Sequence, residues 1–134
     1  MLRLKTRANR QLAGSHGQRI GDTLRRNGKM IIEMRTYKLK PGKRAEFLKI
    51  FRAKTIPEHT KIGMKILGPF LSIEDPDTFF FMRGFPDLAS REPMKAKFYE
   101  GEFWKAELEN LLMPMLEKYE VVLVDDPDGM VKWS

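Results

Sequence analysis

Between residues 30 and 48 the spacing of apolar positions changes from a period of two to a helical one. Ile32, Met34 and Thr36 interleave with Glu33, Arg35 and Tyr37, as in a strand whose two faces differ in chemistry. Pro41-Gly42 supplies a turn, with Pro presetting φ and Gly free to take a positive one. From about Lys43, Phe47, Leu48 and Phe51 fall on one side of a helix, and Arg44, Glu46 and Lys49 are left for water. Pro57 interrupts this pattern and predicts a kink; Thr55 is placed to cap a short second stretch that Gly63 ends.

Residues 64–73 read as a second strand broken at Gly68-Pro69, which puts it at a sheet edge or a bulge, because Pro has no N–H for the ladder. Residues 74–77 form a turn, and residues 78–85 a third strand that closes a hairpin. Asp87 is placed to cap a following helix that Pro93 ends or bends. Residues 102–119 carry a longer helix, with Trp104, Leu108, Leu111, Leu112 and Met115 along one side and a kink at Pro114. Residues 120–124 are the last strand. The order β-α-β-β-α-β is the α+β, ferredoxin-like pattern.

A sheet with one wet face alternates apolar with polar residues, but these strands hold consecutive apolar runs at Phe79–Met82 and Val121–Val124. Each buried Phe or Val contributes about 1.5–3 kcal/mol, so both faces are expected to be covered. The chain has no spare element for the second face, which points to a homodimer, sheet against sheet. Glu33, Arg35 and Tyr37, joined by Arg83, are then expected as a satisfied polar cluster in the cavity between the two sheets. Such a cluster is either a ligand pocket or an ion-pair network that fixes dimer register.

Charge changes the picture only at one end. The net charge is +7 over 134 residues, but residues 1–29 hold eight basic side chains against Asp22 alone, and the remainder holds 17 of each sign. Nucleic acid is therefore not an expected partner of the folded part. Residues 1–29 read as a basic, disordered extension, with three explanations open: sequence upstream of a natural start at Met30, an organelle presequence, or a basic arm for RNA or anionic lipid. A folded domain over residues 30–128 and a tail over 129–134 complete the organisation. No apolar run reaches membrane-spanning length, and the absence of cysteine fits a reducing compartment. The cytoplasm is the expected location, or the mitochondrial matrix if residues 1–29 are a presequence.

Chemistry is sparse. Of two histidines, His16 lies in the extension, and His59 beside Glu58 reads as a surface or helix-end residue or as a base facing the pocket. The acidic groups at 74–77 and 125–128 read as turns, so no metal is expected. Phosphate-loop, dinucleotide and triad motifs are missing, and no cofactor is expected. Trp104 reads most simply as helix core, with stacking on a ligand as the alternative.

The stretches EMRTYKLKPGKRAEFL (33–48) and FPDLASRE (85–92) resemble the NIPSNAP family, over about residues 30–128. The resemblance implies a dimeric α+β barrel of ferredoxin-like subunits, in a superfamily that also holds small cofactor-independent monooxygenases. Its strand glutamate, arginine and tyrosine match Glu33, Arg35 and Tyr37, and its later aspartate and arginine match Asp87 and Arg91. Many members carry a histidine where this chain has Phe81, so no role for that imidazole carries over. The family has no well-established reaction. Two readings follow. In the first, the protein binds a small organic or anionic ligand through Glu33, Arg35, Tyr37, Phe81 and Arg83. In the second it is a cofactor-independent monooxygenase or isomerase that uses Glu33, Tyr37 or His59 for proton transfer.

Overall fold

The structure, a computed structural model, describes residues 30–133. The expectations placed on residues 1–29 lie outside the described residues. Four strands, β1 (Ile31–Leu39), β2 (Lys65–Leu71), β3 (Thr78–Phe85) and β4 (Leu116–Asp125), form one antiparallel sheet in the order β2-β3-β1-β4. The element order is β-α-β-β-α-β, as the sequence predicts. No helix among the described residues is long and apolar enough to cross a membrane.

The first helical region does not break at Pro57. It runs as α1 (Arg44–Ile50), a π-helical turn (Phe51–Thr55) and α2 (Ile56–Ile62). Pro57 has no N–H to return to the preceding turn, and the ladder widens just before it, with the Ile56 N–H reaching the Phe51 carbonyl five residues back. Thr55 caps nothing with its side chain. Gly63 ends α2 at φ 111°, the left-handed conformation that glycine adopts without strain. Arg44, expected in water, is half-buried, and its Nη1 donates to the carbonyls of Ser72, Asp75 and Thr78 at 2.9–3.3 Å, tying the helix start to the β2-β3 hairpin.

The edge strand β2 shifts register between Leu67 and Phe70, at Gly68-Pro69 as predicted. Asp87 caps α3 (Leu88–Tyr99) by accepting from the Ser90 N–H at 2.8 Å. The second helical region then continues as a π-helical turn (Phe103–Leu108), α4 (Glu109–Leu112) and a 3-10 turn (Met113–Met115). Trp104, Leu108 and Leu112 are buried at intervals of four, the spacing a widened turn produces, so Leu111 is turned outward and is 48% exposed rather than in the core. β4 starts at Leu116, not at 120. On an edge strand, Glu117, Lys118 and Glu120 keep their charges in water while Tyr119 pairs with Tyr37, and a run of such residues reads locally as helix.

The helices among the described residues pack on one face of the sheet, and the odd-numbered positions of β1 and β3 point at them: Leu39, Phe79, Phe81 and Phe85 join Phe47, Phe51, Phe98 and Leu108 in the core. The opposite face carries Met34, Phe80, Met82 and Val122. Among the described residues, only its Ile32 end is covered. There Gly84, opposite Ile32, leaves room for the Trp133 ring, which a Cβ would approach to 2.7 Å, and for Met30. The tail is held by Asp126, whose carboxylate accepts the N–H groups of Met130 and Val131.

Candidate functional site

The polar row of β1 faces the helices of its own chain, not the open side of the sheet. This corrects the expectation of a cluster between two sheets. Strand parity explains it, because Glu33, Arg35 and Tyr37 share a face with Phe79 and Phe81, which the helices cover.

Glu33 is fully buried, and each of its oxygens is taken by arginine. Oε1 accepts from Arg35 Nη1 at 2.6 Å and from Arg83 Nε at 2.8 Å. Oε2 accepts from Arg91 Nε at 2.7 Å and Arg91 Nη2 at 2.5 Å. Arg83 arrives by register, directly opposite Glu33, and Arg91 arrives because the Asp87 cap sets where α3 begins. One turn further on, Lys95 brings its ammonium to 4.0 Å from Oε2 and 3.8 Å from Glu92. Burial alone raises the Glu33 pKa, but Arg83, Arg35 and Arg91 outweigh it and hold the carboxyl well below the usual range. Four buried cations thus surround one buried carboxylate, with Glu92 half-exposed beside them.

His59, one of the candidate bases, is 2% exposed rather than at the surface. Its Nδ1 lies 2.8 Å from the Thr55 carbonyl, which only accepts, and its Nε2 lies 3.0 Å from Arg83 Nη1, which only donates. The ring is therefore the neutral Nδ1–H tautomer with its lone pair on the guanidinium. Burial and Arg83 lower its pKa to about 3. Tyr37 accepts from Arg35 Nε at 3.3 Å and Nη2 at 3.0 Å, and burial raises its pKa despite the guanidinium. Tyr99 accepts from Arg83 Nη1 at 2.9 Å.

A cavity of about 440 Å³ lies between this face of the sheet and the helices. Arg35, Tyr37, Phe81 and Arg83 form its floor, and Phe51, His59, Lys95, Phe98 and Trp104 reach it from the helices. Exposed Glu100, Lys105 and Glu109 stand at its rim. Glu33 does not line it but lies behind the arginines. Of the ligand-contact candidates, four of five therefore meet at one cavity and the fifth organises them. Trp104 is both core and cavity wall. Sequence patterning missed Thr55, Lys95 and Tyr99. The stripe Arg91, Lys95, Tyr99, at intervals of four on α3, was the available signal, since it sets polar residues on a helix face that also needs burial.

The NIPSNAP family profile matches residues 32–121. No curated protein matches the chain. Among solved structures, a NIPSNAP family protein from Agrobacterium tumefaciens str. C58 is 28% identical, over 71% of this chain and 83% of that one, with a TM-score of 0.63. An uncharacterised NIPSNAP domain protein from Burkholderia xenovorans is 26% identical, over 71% and 92%, with a TM-score of 0.64. A Nitrosomonas europaea protein whose name assigns it to the antibiotic biosynthesis monooxygenases is similar in fold alone, at 13% identity over 70% and 86% and a TM-score of 0.55. The chain thus shares the α+β fold of these solved structures, and by the span of the profile match it belongs to the NIPSNAP family.

Proposed function

We propose that the protein binds a small organic ligand in the cavity between its sheet and its helices, and that it works as a homodimer joined through the open face of the sheet. The carrying observation is a cavity whose walls are mainly apolar, with several aromatic rings among them, and on which Arg35, Arg83, Tyr37 and Tyr99 converge. Each tyrosine oxygen accepts from a guanidinium, which leaves its own proton to donate to a ligand. The dimer rests on Met34, Phe80, Met82 and Val122, an apolar surface that no described residue covers beyond the Ile32 end. With no cysteine to protect, work in the reducing cytoplasm suits this reading.

Proton-transfer chemistry by the candidate bases receives less support. Glu33 is held ionised by three arginines, the His59 lone pair accepts from Arg83, and Tyr37 is held in its protonated form. None is poised to take a proton near neutral pH. Native mass spectrometry of the purified protein tests both parts of the proposal. A dimer mass with a co-purifying small molecule, released on Arg35→Ala substitution, is expected; a monomer that binds no small organic molecule at any concentration sinks it.

A further inference from the structure

Among the described residues, three buried side-chain polar atoms have no hydrogen-bond partner: Thr55 Oγ1, Arg83 Nη2 and Lys95 Nζ. All three belong to residues that line the same cavity. Orphaned buried donors are rare in folded proteins because each forgoes its hydration without a substitute. Three at one cavity mark a place where something else completes the set. The charge count agrees: Arg35, Arg83, Arg91 and Lys95 meet two carboxylates, Glu33 and the half-exposed Glu92, so the cluster keeps a surplus of positive charge in a region screened from water. A neutral ligand would leave that surplus uncompensated, and an anion would remove it.

Building on the cavity reading above, we infer that the occupant carries an oxyanion headgroup, a carboxylate or a phosphate, held by Arg83, Lys95 and the Thr55 hydroxyl, with an aromatic body against Phe51, Phe81 and Trp104. Arg83 is pre-positioned for this: its Nε is fixed by Glu33 and its Nη1 by His59 and Tyr99, which leaves Nη2 as the one arm without a partner. Lys95 is the adjustable member. The charged groups that face it are Arg91 and Glu92 on its own helix, Glu33 on β1 and Arg83 on β3. Burial and Arg91 bring it down to about 8, against the opposing carboxylates. An anion beside it raises that value, so at pH 8.5, where much of the free protein has a neutral amine, binding takes up a fraction of a proton.

The test uses the full chain with 2-naphthoate, 2-naphthyl phosphate and neutral 2-naphthamide, titrated calorimetrically at pH 8.5 in two buffers of different ionisation enthalpy. At least one anion is expected to bind ten- to a hundredfold tighter than the amide, with proton uptake that the amide lacks, and the stronger of the two identifies the headgroup. Lys95→Met should abolish the uptake and cut the anion preference to a few-fold. Equal binding of amide and anions, or binding without proton uptake, overturns the headgroup assignment while leaving the cavity reading in place. Failure of all three probes to bind sinks the cavity reading and this inference with it. The uptake measured on unmodified protein decides the matter even if the Lys95 variant does not fold.

Discussion

Arg83 donates through Nη1 to His59 Nε2 at 3.0 Å, and this contact fixes the tautomer and the charge of the imidazole together. Because the folded pKa of His59 lies at about 3, below its unfolded value of 6.5, the unfolded chain binds a proton between those pH values and the native chain does not. Stability therefore rises with pH across that window and falls on acidification. Glu33 adds its own loss only below its unfolded value of 4.5, so pH 6.5 to 4.5 isolates the histidine. About 2 kcal/mol should be lost there, and His59→Gln should flatten the profile; urea melts at several pH values read it, and parallel profiles refute the assignment.

Glu33→Gln removes the one buried carboxylate on which Arg35, Arg83 and Arg91 converge. The remaining cations repel one another out of water, and a loss of roughly 3–5 kcal/mol is expected. Chemical denaturation measures it. A variant within 1 kcal/mol of the parent would mean that water, not Glu33, carries those charges.

Phe80 stands on the open face of the sheet, its ring 6.2 Å from that of Phe70, which is 48% exposed. If a second copy covers this face, Phe80→Glu places a carboxylate in an apolar seam. Sedimentation equilibrium should then show monomer where the parent is dimeric, with far-ultraviolet circular dichroism unchanged, since the helix-facing core is untouched. Identical masses for the two proteins would remove this face from the interface.

Gly68 has φ 121°, and a Cβ there would sit 2.9 Å from Phe81 Cβ. Gly68→Ala should destabilise by about 1–3 kcal/mol and, by pressing on Phe81, alter the cavity floor as well. Thermal melts check the first effect and titration with 2-naphthoate the second.

The β-α-β-β-α-β order, the Gly68-Pro69 break, the Asp87 cap and the Gly63 stop were all legible in the sequence, because each rests on local chemistry: a missing N–H, a short side-chain acceptor, a positive φ. The placement of Glu33, Arg35 and Tyr37 was not. Two apolar runs at Phe79–Met82 and Val121–Val124 say that both faces are fit for burial, but not which one the helices take. Parity against Phe79 and Phe81 decides it, and the pairing of Tyr37 with Phe79 is a long-range fact. Thr55 and Lys95 escaped notice for a related reason. Their importance lies in a missing partner, and a partner is absent only once the surrounding packing is known.

The extra residue accommodated in the turn at Phe51–Thr55 acts as a phase setting for everything downstream in that helical region. Were the same number of residues wound there at the ordinary α pitch, the extra residue would swing the following segment by about 100° around its axis, carrying the imidazole of His59 off the guanidinium it now meets. What reaches the chamber from this side is thus dictated by how the preceding turn is wound as much as by which residue it is.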